Sequence, residues 1–371
     1  MNIAISANCF SSFTSGFPVR GMTMELIKEH PEDKFQLYYS RRPFPSRLKT
    51  FYDEINNLPN VEIKFFRAPH KSVMLKQMLG LNYVKLDCDV DLFLNPGHIE
   101  YIPNFNGPQI CSLADLSTIK GLSTGKYATF FKYWTRHSLN RQLPQLSTIV
   151  AISEFTKNDI ANFFPQVKTP IEIIHNGINP FWFNADEVSD SGVDQIIPRR
   201  PYFVWWGLIS RRKNIDNLIK AYRNARISHP GLPDLLLIGN VEEYMTHIKS
   251  EFHDGIYNIP FQEDNVLRTI IANSKGLIFP SLYEGFGLPV IEAFSQGVNV
   301  ACSNVTSLPE VAGGYAILFS PTDINDMSDA ILKLDQKPSQ KDVVMNYASG
   351  FTYKRAAMQY YNIIKKLIKK S

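Results

Sequence analysis

Only four cysteines occur in 371 residues, Cys9, Cys88, Cys111 and Cys302, and no two of them form a C-x-x-C pair. That scarcity argues against a disulfide framework and a cysteine-ligated zinc site, and it fits a reducing, cytoplasmic setting. No apolar run approaches the roughly 18 residues that a membrane span requires. The first residues, NIAISA, read as a strand with no basic n-region or cleavage site, so neither secretion nor membrane spanning is expected. G-x-G-x-x-G is missing, which argues against a nicotinamide or flavin dinucleotide site. Internal repeats and low-complexity tracts are missing too. What remains is a chain with 44% hydrophobic and 20% charged residues, the balance of a soluble globular protein, and a length that calls for two domains.

The net charge of +4 is unevenly spread: residues 1–180 carry 19 Lys and Arg against 15 Asp and Glu, and the rest of the chain carries 20 of each. Two basic clusters stand out, RRPFPSRLK at Arg41–Lys49 and the stretch Lys120–Arg141, the latter rich in Phe, Tyr and Trp. They suit an ordinary solvated face first, and otherwise weak peripheral contact with an anionic membrane or an anionic acceptor. No nucleic-acid partner is expected.

Short apolar runs bounded by polar turns recur along the first half as IAISA, FQLYY, VEIKFF, VDLFLN, QICSLA, TIVAIS and IEIIH. The second half restarts the series with YFVWWG, DLLLIG, IYNIPF, KGLIFPS, VNVACS and YAILFS. Continuous runs of this kind are buried parallel strands, and helix-compatible segments between them imply an α/β chain of two Rossmann-like, doubly wound domains. Residues 184–201, polar and carrying Gly192, Pro198 and Pro201, read as the linker. The chain thus divides into a first domain 1–183, the linker, and a second domain 202–352. The tail 353–371 places Met358, Tyr361, Ile364 and Ile368 at helical spacing, as a helix returning to the first domain.

The densest chemistry lies in FPSLYEGFGLPVIEAFSQG, where Glu284 and Glu292 enclose seven residues. Pro289 suits the first turn of a helix, and Gly285 and Gly287 let backbone pass close to a ligand just before it. A helix starting there, beyond the strand LIFPS, offers free N–H groups and a positive dipole end to a diphosphate. Glu292, in the first helical turn on this reading, suits two vicinal ribose hydroxyls, and Glu284 suits the hydroxyls of a sugar. Taken alone, the same glutamates also suit a capping box and a solvated loop. Arg212 and Lys213 follow the strand YFVWWG, where cations neutralise the charge of a departing pyrophosphate.

Taken together, these blocks resemble the large retaining glycosyltransferase family of the GT-B fold that carries the E-x7-E motif. GLISRRKNIDNLIKAY is similar to the family's donor-phosphate segment, and VAISEFTKNDI, IIHNGINPFW, SLPEVAGGYAILFSP and FTYKRAAMQYY follow in family order. The resemblance implies two domains facing a cleft, with a nucleotide diphosphate sugar as donor substrate and no cofactor or metal. The donor site would comprise Gly207, Arg212, Lys213, Gly239, Glu284, Gly285, Phe286, Gly287, Leu288 and Glu292. Glu292 would bind ribose, Glu284 the sugar, Arg212 and Lys213 the diphosphate. SGFPVRGMTMEL resembles the acceptor loop, with Gly16 and Arg20 on the acceptor side. Where many members have His-Asp after the fifth strand, this chain has Ala114-Asp115. Asp115 keeps its position as a catalytic candidate, and His98 in NPGHIEYIP is a partial substitute for the histidine.

The resemblance implies transfer with retention through same-face attack, the leaving phosphate taking the acceptor proton while Asp115 orients the hydroxyl. It favours a GDP-mannose-like donor or a UDP-sugar, and a glycan or lipid-linked acceptor in bacterial polysaccharide or lipopolysaccharide assembly at the cytoplasmic face. A two-Rossmann sugar-nucleotide epimerase and an inactive nucleotide-sugar-binding scaffold are the alternatives. DCDVD at Asp87–Asp91 has a metal-like Asp-x-Asp spacing but precedes a strand instead of following one, so no metal is expected there. No lysine motif indicates pyridoxal phosphate.

Overall fold

Strands covered on both faces need no polar alternation, and the apolar runs of this chain are of that kind. The computed structural model describes residues 1–11, 16–40, 48–66, 85–97, 103–122, 128–183 and 196–369. The chain divides into one unit of Met1–Asn179 with Thr352–Ser371, and another of Pro180–Phe351.

The first unit contains β1 (Asn2–Ser6), β2 (Lys34–Ser40), β3 (Val61–Phe66), β4 (Leu92–Asn95), β5 (Gln109–Leu113), β6 (Thr148–Ala151) and β7 (Ile171–Ile173). They pair in parallel in the order β3-β2-β1-β4-β5-β6-β7. The order reverses between β1 and β4, and in open sheets of this type ligands sit beyond the carboxyl ends at such a reversal. The core joins Ile3, Ile5, Leu37 and Leu94 of the sheet to Leu26 and Ile27 of α1 (Gly16–Glu29) and to the C-terminal helix. A second cluster gathers Leu113, Ile149 and Ile160 with Leu139 of α2 (Ala128–Gln142).

The second unit contains β8 (Tyr202–Trp206), β9 (Asp234–Ile238), β10 (Ile256–Ile259), β11 (Gly276–Phe279), β12 (Val300–Ser303) and β13 (Ile317–Phe319). These are parallel in the order β10-β9-β8-β11-β12-β13, with the reversal between β8 and β11. Two helices position its chemistry, α3 (Ile215–Ser228) and α4 (Leu288–Ser295).

The C-terminal helix α5 (Tyr353–Ile368) belongs to the first unit, capped by Thr352 Oγ1, which accepts from Arg355 N at 3.1 Å. It buries Tyr353, Ala356, Ala357, Tyr360, Tyr361 and Ile364. Met358, read from spacing as part of that face, is 54% exposed. The buried stripe follows the helical period and passes it by. α1 and α5 approach closely at Gly21, where a Cβ would lie 2.0 Å from the Tyr353 ring.

The division between units also differs from the expected boundary at residue 183. The short turn Pro180–Phe183 belongs to the second unit. Arg268 Nη1 donates to Phe181 O at 2.7 Å, and its guanidinium lies 4.3 Å from the Phe181 ring centre. Trp182 is buried beside it. Of the expected linker, residues 184–195 lie outside the described residues, and Arg200 already pairs with Asp234 of the second unit at 3.4 Å. Among the described residues, no helix is long and apolar enough to cross a membrane.

Candidate active site

Beyond β8 the chain passes Gly207, in the left-handed region at φ 143°, and forms a 3-10 turn over Arg211–Lys213. Asn214 follows at φ 61° and locks that turn: its side-chain amide donates to Pro280 O at 3.1 Å and Pro321 O at 2.7 Å. Leu282 N donates to Arg212 O at 2.9 Å, so the turn is stitched to the loop after β11. The two cations therefore stand on a fixed turn of their own ahead of α3. Both meet one carboxylate. Arg212 Nη1 donates to Glu284 Oε2 at 2.9 Å and to Tyr283 O at 2.6 Å, and Lys213 Nζ donates to Glu284 Oε1 at 2.7 Å.

Burial by itself raises a carboxyl, but for Glu284 the Lys213 and Arg212 charges outweigh it and hold the group at about 2. Burial lowers the Lys213 ammonium below its ordinary value, against the opposing pull of Glu284. The loop itself is pinned. Ser307 Oγ shares its one proton between Phe286 O at 2.7 Å and Glu284 O at 3.0 Å, while Glu284 N donates to Thr306 Oγ1 at 3.2 Å. Thr306 sits at φ 62°, an outlying conformation for a β-branched residue.

Gly287, at φ 115°, ends this loop, and α4 begins at Leu288 with Pro289 in its first turn and no side chain capping it. A Cβ at Gly287 would lie 2.7 Å from Leu308 Cδ2. No side chain caps α4, Pro289 has no N–H and Val290 N donates to Gly287 O at 3.0 Å, so the helix dipole and the Leu288 N–H are what this end offers an anion. Phe286 is buried, its ring centre 6.0 Å from that of Phe351, so it is packed into the core of the unit.

Glu292 departs from the sequence expectation, because α4 starts at Leu288 and so puts it in the second turn. It cannot serve as a capping-box residue there. Its Oε2 accepts from Trp206 Nε1 at 3.2 Å. Burial raises its carboxyl, helped by the Asp264 charge and opposed by the Trp206 hydrogen bond and Lys213, to about 7. Gly207 and Gly239 end neighbouring strands, and a Cβ at Gly239 would lie 1.8 Å from Gly207 O. Only glycine permits that approach at its φ of 147°.

The first unit's candidates are engaged locally. Arg20 is buried and its Nη1 donates to Phe10 O, next to Gly16, where a Cβ would lie 2.8 Å from Arg20 Nη1. Asp115, two residues past β5, accepts through Oδ1 from Ser117 N at 2.9 Å and Ser117 Oγ at 2.6 Å. His98 lies outside the described residues. The Asp87–Asp91 acids have separate partners: Asp87 pairs with Lys64 at 2.9 Å, Asp89 accepts from Asn2 Nδ2 at 2.8 Å and Asp91 from Asn2 N at 2.7 Å. Sequence reading missed Trp206, Asn214, Thr306 and Ser307, which hold the site's loop and carboxylates in place. Two signals were available, an indole at a strand end next to a glycine and Ser-Thr residues at the end of β12 opposite the Glu284 loop.

Two doubly wound parallel units, the second with converging cations and carboxylates at its carboxyl edge, define an α/β protein of the class whose ligands sit beyond the carboxyl ends of the strands. Residues 190–351, nearly the whole of the second unit, match the family model described as Glycosyl transferases group 1. O-antigen chain mannosyltransferase B of Escherichia coli is 29% identical over 252 residues, covering 62% of this chain and 63% of that protein. The chain spans less than two thirds of the length of the first curated relatives it matches, 63% and 60%. Among solved structures, sucrose-phosphate synthase from Thermosynechococcus elongatus aligns over 100% of both chains with a TM-score of 0.75 at 16% identity. Anabaena HepE in complex with UDP-glucose aligns over 99% of this chain and 100% of its own with a TM-score of 0.67 at 15% identity. The fold is that of the GT-B class.

Proposed function

We propose that this chain is a retaining, metal-independent glycosyltransferase that moves a sugar from a nucleotide diphosphate sugar to a glycan or lipid-linked acceptor in bacterial polysaccharide or lipopolysaccharide synthesis. The observation that carries this reading is the meeting of Arg212 and Lys213 with Glu284 in the loop that ends at the uncapped start of α4. Two fixed cations and a helix N-terminus are what a diphosphate leaving group requires, and their field is worth most where its charge grows in the transition state. With that field in place, no divalent ion is needed. Glu292 holds the ribose and Glu284 the transferred sugar. Neither is a covalent nucleophile in this mechanism: the acceptor attacks from the face of the departing phosphate, which takes its proton, and Asp115 orients the hydroxyl. The O-antigen mannosyltransferase relative supports a GDP-mannose-like donor, and the UDP-glucose complex of HepE keeps UDP-sugars in view.

The test is incubation with a panel of nucleotide sugars, with and without lipid-linked and free glycan acceptors. Expected are acceptor-dependent release of nucleoside diphosphate, unaffected by EDTA, and a product anomer by NMR equal to the donor's. An isomerised nucleotide sugar formed without acceptor establishes the epimerase instead, and binding without turnover the scaffold. An inverted linkage removes the retaining mechanism, and loss of turnover with EDTA that Mg²⁺ restores removes metal independence.

We also propose that the first unit attaches weakly to the anionic inner face of the cytoplasmic membrane. Exposed Phe130, Phe131 and Tyr133 on α2 support this, since α2 also carries Lys132, Arg136 and Arg141 and no acidic residue. Each cation near such a surface contributes about 1 kcal/mol. Phe130→Ser with Phe131→Ser is expected to reduce co-sedimentation with phosphatidylglycerol vesicles several-fold, and equal binding of the unmodified protein to neutral vesicles would remove the electrostatic part.

A further inference from the structure

We infer that Glu284 is an internal counter-ion of the donor site: in the donor-free protein its carboxylate takes the place of the donor's diphosphate on Arg212 and Lys213, and donor binding exchanges it. The inference rests on the placement of the diphosphate proposed above. Both carboxylate oxygens are used, Oε2 by Arg212 at 2.9 Å and Oε1 by Lys213 at 2.7 Å. A diphosphate bound at the same Nη1 and Nζ groups competes with that carboxylate for them, so one anion gives way as the other arrives. Neither backbone can give way. The cations' turn is tied by Asn214 to the carbonyls of Pro280 and Pro321, and the Glu284 peptide is held from both sides by Thr306 and Ser307. The exchange is therefore a rotation of side chains on a fixed frame.

Charge decides its direction. The two cations share one hydrogen-bonded carboxylate, Glu284, while Glu292 acts on Lys213 and Glu242 on Arg212 only through space. A nucleotide sugar brings two negative charges on its diphosphate and matches the cations more fully. Once displaced, the Glu284 carboxylate is free to accept from hydroxyls of the donor's sugar, which reconciles its place in the structure with its proposed role. After transfer the same carboxylate competes for the cations and helps to expel the nucleoside diphosphate. A binding site open only part of the time shows an affinity reduced by that fraction. Removing the competing charge must therefore tighten diphosphate binding even as transfer slows. A residue that merely holds the loop in shape, or that only contacts sugar, has no such opposed effect.

Calorimetric titration of the full chain with GDP, UDP and inorganic pyrophosphate tests this. Glu284→Gln is expected to bind whichever of these the unmodified protein binds about tenfold more tightly, which corresponds to a site closed nine-tenths of the time, with a lowered kcat. Its thermal midpoint should also rise more on adding that ligand than does that of the unmodified protein. Equal or weaker binding by a folded Glu284→Gln overturns the inference. If that variant does not fold, Glu284→Asp carries the test: one methylene shorter, its carboxylate cannot span both cations, and its pyrophosphate affinity must exceed that of the unmodified protein or the inference fails. The Arg212→Ala/Lys213→Ala protein separates the two levels. If it binds diphosphates as well as the unmodified protein, the placement of the diphosphate falls and the exchange with it.

Discussion

The carboxyl edges of the two sheets carry similar residues, a glycine-containing turn, an arginine and an acid, yet spend them differently. In the first unit Arg20 donates to the carbonyl of Phe10 and Asp115 accepts from the amide and hydroxyl of Ser117. In the second, Arg212 and Lys213 reach across about 70 residues of sequence to a side chain, Glu284, and Trp206 reaches Glu292. A polar group bonded to nearby backbone builds a local turn, and replacing it costs structure. Arg212 also keeps a backbone partner, Tyr283 O, but its contact with Glu284 and that of Lys213 join charge to charge, and such contacts can be exchanged for a ligand of the same charge. Position at a strand end is thus shared by both units, and mutual engagement of side chains separates the proposed donor site from a locally bonded turn.

The largest effect is expected where that engagement is densest. Arg212→Ala with Lys213→Ala removes two charge-assisted contacts, each worth about 1.5–3 kcal/mol, so kcat/KM should fall by about two to four orders of magnitude. Steady-state kinetics with saturable donor check it. A double variant with near-normal kcat/KM would erase the distinction between the two edges.

Glu292 gives the next effect, through pH. Its carboxyl, raised to about 7 by burial, is largely protonated below that pH in the folded chain. If the ionised form accepts the ribose hydroxyls, donor affinity should rise about tenfold per pH unit up to about 7 and then level off. Glu292→Gln should bind the donor more weakly and show no such slope. The stability consequence has the opposite sense to the usual acid. The folded state holds the proton more tightly than the unfolded one, so this group's contribution falls as pH rises from its ordinary value toward 7. Glu284, held near 2, contributes stability that persists across that range and is lost only on strong acidification. Titration of thermal midpoints for both glutamine variants tests these opposed signs.

The strands were legible because continuous apolar runs have few other uses in a chain of this composition. Each of the thirteen quoted runs overlaps a strand. The glycines before α4 and Pro289 announced the helix start at Leu288, yet Glu292, four residues beyond that start, was placed one turn too early. Met358 was misplaced because spacing from Tyr361 fits more than one stripe around a helix. The Arg212–Lys213–Glu284 meeting was not legible at all: the three residues were read as ligands for separate parts of a donor, and nothing in local pattern says that they satisfy one another in its absence. Trp206 and Asn214 were invisible for the same reason, as their partners lie far along the chain.

The smallest effect should come from Asp115, and it probes the other side of the comparison. Its Oδ1 closes the turn before the short helix Ser117–Lys120. Asp115→Ala removes both hydrogen bonds to Ser117 and should cost about 1 kcal/mol or more of stability. Asp115→Asn keeps an oxygen for Ser117 and loses only the charge, so its thermal midpoint should stay within about a degree of the unmodified protein's. Any fall in rate then reports the carboxylate acting on the acceptor. A single lost charge-assisted hydrogen bond of about 1.4 kcal/mol corresponds to a tenfold fall in kcat, with donor KM unchanged. An unchanged kcat in Asp115→Asn, with a destabilised Asp115→Ala, would assign Asp115 to the turn alone and leave acceptor orientation to other residues of the first unit.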